Sequence, residues 1–270
     1  MAIRTGIMLP YGFSEKRFNT FPKPCIIQPK LKGGRSRFKD GVLYTSSEAI
    51  RTSVPLITQE LRSLNLPLEF DGECYVHGMA ETDINGIVSR TTNLHPDHSS
   101  MRYFIYDIVG NWPQKERLQA LKRIVFINAP HIFTVPCLEI FTLGDFYKWY
   151  KEFLDLGYEG IIVRHPSAPY LRKKVTTMLK HKPFASDSFE IVGWEEEISI
   201  HGEPKGALGA LAMVTLEGET FKTGTGFNRK QREDFWERKE QLLGSFAKIR
   251  YESLSTSRGV PEKSRFEELA

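Results

Sequence analysis

The sequence predicts an α+β chain in two parts, a mixed domain over residues 1–183 and a small β-barrel over residues 184–270. Three observations carry that expectation. Before Lys182, apolar runs of strand length alternate with segments of helical periodicity; after it, short strand-like runs are broken by one helix-like stretch. Pro183 and the small polar run Ala185-Ser-Asp-Ser188 read as a hinge between the two. The charge balance also changes sign there, with 25 Lys/Arg against 17 Asp/Glu up to residue 183 and 12 against 16 beyond it.

The elements follow in order. Cys25-Ile-Ile-Gln-Pro reads as a short strand entering the core. Residues 35–44 are expected to form a hairpin turning on Asp40-Gly41, and residues 55–64 a helix. Residues 68–76 alternate like a half-buried strand, with Asp71, Glu73 and Tyr75 on one side. A helix near residues 114–124 would place Leu118, Leu121 and Val125 on one face. Residues 143–157 are helix-like and lead into the apolar strand Ile161-Ile-Val163, after which Lys180 and Lys182 share a strand face. Past the hinge, residues 189–194, 208–216, 219–223 and 246–251 read as strands. The single helix among them starts at Asn228, an N-cap with Gln231 three residues on, and ends at Gly244. Short strands with one helix fit a barrel of the OB type.

Four short runs carry chemistry: Lys30-Leu-Lys-Gly-Gly-Arg35, Asp71-Gly-Glu73, Glu159-Gly160 and Lys180-His-Lys182. They place an amine, carboxylates and paired cations where strands meet loops. Lys30 and Lys32 are expected on one face of a strand. A lysine amine, with a reference pKa of about 10.4, is a poor nucleophile at neutral pH unless burial or nearby cations lower that value. Lys32 and Arg35 are cations of that kind. Asp71 and Glu73 can accept from a ribose hydroxyl or help hold a metal, and Lys180 with Lys182 suits phosphate oxygens. Each run alone also fits a basic turn or a charged strand end. The four in order point to covalent transfer of a nucleotide through lysine, with the nucleotide between antiparallel sheets.

On these motifs the chain resembles the ATP-dependent DNA ligases of small viral (phage-type) form. They belong to the covalent nucleotidyltransferases, with RNA ligases and mRNA capping enzymes. The resemblance covers nearly the whole chain and implies a nucleotidyltransferase (adenylation) domain at 1–183 and an OB-fold β-barrel at 184–270. By this resemblance Lys30 is the nucleophile, and Gln28 and Arg35 contact the nucleotide. Glu73 would meet the ribose, and Tyr106, in Tyr103-Phe-Ile-Tyr-Asp107, would stack on adenine. Glu159, in Gly157-Tyr-Glu-Gly-Ile-Ile-Val-Arg164, would be the metal-associated acid with Glu73 beside it, and Lys180 and Lys182 would contact the α-phosphate. Phe221-Lys-Thr-Gly-Thr-Gly-Phe227, followed by Gln231-Arg232 and Phe235-Trp236, resembles the second domain of DNA ligases in particular. The chain departs from the family at three places. Lys32 stands where the family has aspartate, and Thr45 where it often carries an arginine for the nick's 5′-phosphate. The basic C-terminal motif reduces to Lys263 and Arg265 as candidates.

The resemblance implies sealing of 5′-phosphate/3′-hydroxyl nicks in duplex DNA through lysyl-AMP and DNA-adenylate, with ATP and Mg²⁺ (or Mn²⁺) as cofactors. An RNA ligase or capping guanylyltransferase shares the lysine chemistry, and a nick-binding protein without turnover would share the fold. Nicked double-stranded DNA is the expected partner. Its phosphates should meet the first part, of net charge +8, more strongly than the second, of −4. Candidate contacts are Lys32, Arg51, Arg172, Lys173 and Lys174, with Arg229 and Lys230 on a local face of the second part. No apolar stretch approaches a membrane span, and the start lacks a signal-peptide pattern. Cys25, Cys74 and Cys137 are widely spaced, so neither a disulfide framework nor a zinc site follows. The expectation is a monomeric protein of a reducing, cytoplasmic compartment.

Overall fold

Two five-stranded sheets organise the part of the chain that carries the four charged runs. The computed structural model describes residues 6–124, 126, 128–255 and 257–270. It divides into Met1–Lys182 and Pro183–Ala270, each with apolar clusters of its own.

The first unit runs β1 (Leu9–Gly12), α1 (Glu15–Asn19), β2 (Cys25–Lys30), β3 (Gly34–Lys39), β4 (Val42–Thr45), α2 (Pro55–Ser63), β5 (Phe70–Tyr75) and α3 (Glu81–Val88). It continues with β6 (Arg102–Ile108), α4 (Gln114–Arg123), β7 (Ile132–Thr134), β8 (Leu138–Ile140), α5 (Leu143–Asp155), β9 (Gly160–Arg164) and β10 (Lys174–His181). One sheet has the order β1-β10-β9-β2-β8, the other β4-β3-β5-β6-β7. Neighbours are antiparallel except β1 with β10 and β6 with β7, two edge pairings that the sequence did not announce.

Strand β2 explains why a six-residue run can carry a site. It lies between β8 and β9, and its side chains alternate between two cores. Cys25 and Ile27 pack with Phe146 and Phe153 of α5, whereas Ile26 packs with Phe38, Leu43 and the buried faces of α2 and α3. Gln28 and Lys30 share the parity of Ile26. The β3–β4 hairpin turns as expected, with φ of 49° at Asp40 and 77° at Gly41. Helix α2 starts on Pro55 and buries Ile57 and Leu61. Helix α5 opens with a capping box between Thr142 and Asp145 and buries Phe146 and Phe153. Helix α4 buries Leu118 and Leu121; Val125, the third residue of that expected face, lies outside the described residues. Helices α1 and α3 escape a periodicity search. The first has five residues and one buried side chain, Phe18, and the second has no side-chain cap and includes Asn85 and Gly86.

The second unit comprises β11 (Ala185–Ile198), β12 (Pro204–Val214), β13 (Thr220–Thr223), α6 (Arg229–Glu237), α7 (Lys239–Leu242), β14 (Phe246–Tyr251), β15 (Ser253–Leu254), β16 (Pro261–Glu262) and β17 (Arg265–Leu269). Its main sheet has the order β13-β12-β11-β14-β17, with antiparallel neighbours. Register shifts along β11 bend the long strand. Two expectations are corrected here. Residues 185–188 are not a hinge but the start of β11, paired from Ala185↔Tyr251 to Ser188↔Lys248; all four are exposed, which gives them a loop-like composition. The single helix is two, broken at Arg238 (φ −109°, ψ 25°), although the capping box of Asn228 and Gln231 forms as read. No helix among the described residues is long and apolar enough to cross a membrane.

Candidate active site

Three strand ends of one sheet bring the first and last charged runs together. The β2–β9 ladder sets Lys30 opposite Gly160, and the Glu159 amide donates to the Lys30 carbonyl at 3.0 Å. Gly160 has φ 154°, and a Cβ there would lie 2.2 Å from the His181 carbonyl oxygen, so only glycine lets β9 start this close to the end of β10. Glu159 therefore sits between two ammonium groups. Its Oε2 accepts from Lys30 Nζ at 2.5 Å and its Oε1 from Lys182 Nζ at 3.3 Å. Burial pushes the Glu159 carboxyl up, but Lys30 and then Lys182 outweigh it and hold the group below the usual carboxylate range. Lys180 lies on β10 opposite Ile162, and Lys182 falls just past the strand.

The other sheet supplies the second carboxylate. Glu73, on β5, accepts from the Gly33 amide at 3.2 Å, which ties it to the loop after Lys30. Burial pushes its pKa up to about 7 against the pull of Lys30 and Arg35, and Asp71 and Glu159 add to the rise. Asp71 is committed elsewhere, to a two-point pair with Arg35 at 3.1 and 2.6 Å.

Tyr106 stands on β6 with the guanidinium carbons of Arg35 and Arg164 at 5.5 and 5.6 Å from its ring centroid. Behind it is a buried polar network that the sequence reading missed. Asp107 takes Arg117 and Arg164, at 2.8 and 2.9 Å, and Gln114 bonds to Asp107 and both arginines. Gln28 belongs to this network. It is 1% exposed; its Oε1 accepts from Arg164 at 2.6 Å, and its Nε2 donates to the Tyr106 carbonyl and Cys137 Sγ. The amide expected to contact a nucleotide thus fixes the strand of Tyr106 instead. Two polar residues one helical turn apart on the buried face of α4, Gln114 and Arg117, were the available signal.

Among the described residues, no three His, Cys, Asp or Glu side chains converge as a metal cage. Glu73 and Glu159 offer two carboxylates. That donor set fits Mg²⁺, which takes one or two carboxylates and completes its octahedron with water and substrate phosphates.

A model of the ATP-dependent DNA ligase domain matches residues 8–182, and one of the DNA ligase OB-like domain matches residues 201–269. This chain belongs to the ATP-dependent DNA ligases. The DNA ligase of Haemophilus influenzae is 30% identical over 196 residues, which cover 71% of this chain and 68% of the relative. The DNA ligase of African swine fever virus (isolate Pig/Kenya/KEN-50/1950) is 25% identical over 288 residues, 93% of this chain and 66% of the viral protein. The chain thus spans about two thirds of the length of these relatives. In fold it is similar to a solved Lig E DNA ligase, described as binding DNA with a minimal scaffold. The TM-score is 0.82 at 20% identity, over 99% of this chain and 100% of the other.

The ligase distributes its expected nucleic-acid contacts unevenly. Lys32 is not on the strand face of Lys30, because β2 ends at Lys30; it is 43% exposed and pairs with Glu81 of α3 at 3.3 Å. Arg51 is 9% exposed, with its guanidinium given to the carbonyls of Val88 and Arg35, so it packs α3 and is no surface contact. Arg172 is held by Glu69 and the Gly6 carbonyl, and Arg229 by Glu197 and Glu233. Lys173, Lys174 and Lys230 are exposed, and Lys174 lies over the Tyr11 ring at 4.4 Å.

Proposed function

We propose that this DNA ligase closes 5′-phosphate/3′-hydroxyl nicks in duplex DNA by carrying AMP on Lys30. The observation behind this reading is the Lys30–Glu159–Lys182 cluster facing Glu73 across the Gly33 loop. In the first step the Lys30 nitrogen attacks the α-phosphorus of ATP. A P–N bond forms, the P–O bond to pyrophosphate breaks, and the amine gives up its proton. In the second step the 5′-phosphate of the nick displaces the lysine and takes AMP. In the third the 3′-hydroxyl displaces AMP and the strand is joined.

Such in-line transfers depend on positioning and charge stabilisation more than on a strong base. Lys180 and Lys182 are the proposed α-phosphate contacts, Tyr106 the adenine platform, and Glu73 with Arg35 the contacts to the rest of the nucleotide. Glu73 and Glu159 would hold Mg²⁺ (or Mn²⁺), which supplies positive charge to the phosphates when bound. Residues 1–183 would act as the adenylation domain and 184–270 as the OB domain, with nicked double-stranded DNA as partner. Lys173, Lys174 and Lys230 are its proposed backbone contacts.

The test is covalent labelling with α-labelled ATP, followed by mass spectrometry of the labelled peptide. Wild type should carry AMP on Lys30, and Lys30→Ala should lose the label while remaining folded, as read by circular dichroism. Label that persists in the variant, or that lies on Lys32, would refute the assignment.

A further inference from the structure

Four groups close a hydrogen-bonded ring beside the proposed nucleotide site. Arg35 donates from Nε to Asp71 Oδ1 at 3.1 Å and from Nη2 to Asp71 Oδ2 at 2.6 Å. The same Nη2 donates to the Met8 carbonyl at 2.7 Å. The Met8 amide donates to the Tyr170 hydroxyl at 3.0 Å, and that hydroxyl donates to Asp71 Oδ2 at 2.6 Å. The Tyr170 oxygen so uses its one proton and one lone pair, and both Asp71 oxygens are occupied. Burial and the adjacent Asp71 carboxylate push the Tyr170 phenol well above its ordinary value, so it remains a donor across the neutral range.

The ring leaves one guanidinium nitrogen over. Among the described residues Arg35 Nη1 has no hydrogen-bond partner, and it is not one of the buried orphaned atoms. With the side chain 17% exposed, that nitrogen is the arm of Arg35 left to solvent. The guanidinium lies beside the Tyr106 ring and close enough to Glu73 to pull its titration down. A nucleotide between Tyr106 and Lys30 would meet this free donor.

We infer that Tyr170 is a positioning residue of the ligase: through Asp71 it fixes Arg35 so that Nη1 donates to an oxygen of the bound nucleotide. The inference rests on the Lys30-centred reading above. Asp71 could pair with Arg35 in more than one rotation, and the Tyr170 hydroxyl favours the observed one by donating to Oδ2 beside Nη2. It also holds Met8, whose carbonyl accepts from Nη2 and so anchors that nitrogen.

A double-mutant cycle on the full chain tests this. Rate constants of self-adenylylation are measured over a range of ATP for wild type, Tyr170→Phe, Arg35→Gln and the pair. Rate constants are read rather than labelled amounts, so a partly unfolded preparation does not imitate the effect. Tyr170→Phe keeps the ring packed and should slow labelling about tenfold, the loss of one positioning hydrogen bond. It should move the same parameter as Arg35→Gln, whether KM for ATP or the rate at saturation. In the Arg35→Gln background the same change should matter less than about twofold. Losses that multiply, a different parameter moved, or an Arg35→Gln enzyme that labels normally would each overturn it. Lys30→Ala, assayed in parallel, reports separately on the underlying reading.

Discussion

Glu73→Gln separates the electrostatic cost of this site from its function. The Glu73 carboxyl titrates at about 7 in the folded ligase, mainly through burial. An unfolded glutamate titrates near 4.3 or so. Between those values the folded protein holds a proton that the unfolded chain has released, so stability falls as pH rises through this window and stays lower above it. At about 1.4 kcal/mol per pH unit, the displacement corresponds to roughly 4 kcal/mol. Glu73 retains some solvent contact, which screens part of this and leaves about 1–3 kcal/mol. Glutamine keeps an acceptor for the Gly33 amide and cannot ionise. Urea unfolding of wild type and variant at about pH 4 and about pH 8 reads the difference. The two should agree near the lower pH, and the variant should be the more stable by about 1–3 kcal/mol near the higher one. A gap independent of pH, or a wild type more stable above neutrality, would refute the reasoning.

Asp107→Asn leaves two buried arginines, Arg117 and Arg164, short of their counter-charge. It should cost about 3–5 kcal/mol in urea unfolding. Lys32→Asp replaces an exposed ion pair with a like-charge contact to Glu81 and should change stability by less than about 1 kcal/mol, read the same way. Lys173→Gln with Lys174→Gln should lower the slope of log affinity against log salt for nicked duplex by about 2. Arg229→Gln, already neutralised by Glu197 and Glu233, should lower it by less than about 0.5, measured in the same titration.

The residues that sequence reading placed well are those whose role is local. The Asp40-Gly41 turn and the Asn228/Gln231 capping box need only their neighbours in the chain, and both form. Lys30, Glu159 and Lys182 lie at the ends of strands whose apolar runs are legible, Lys30 last in β2, Glu159 just before β9 and Lys182 just after β10, and the register of β2 with β9 brings the first two together. What could not be read is tertiary. Gln28 stands two residues before the proposed nucleophile, yet its amide is spent on Arg164 and Tyr106, partners 136 and 78 positions away. Arg51 and Lys173 look alike as charges in a sequence. Packing against Val88 turns the first inward, while the second is exposed. Residues 185–188 fail for another reason, because an exposed strand edge and a loop share the same small polar composition.

The arrangement of charge explains why so polar a site can be folded before any nucleotide arrives. Lys30 and Lys182 would repel one another if left alone at the ends of their strands. Glu159 removes that cost by taking one ammonium on each oxygen, and burial makes those bonds stronger than they would be in water. On the proposed mechanism the same pairing would keep Lys30 from acting, since attack requires the free amine. An incoming α-phosphate offers the two lysines oxygen acceptors of the same kind as Glu159, so it can replace the carboxylate without leaving a cation bare. Glu159 would then be freed of its lysines just when a metal-bound triphosphate needs an oxygen ligand. On this view the resting ion pairs hold the site in shape, and their exchange for phosphate couples nucleotide binding to release of Glu159.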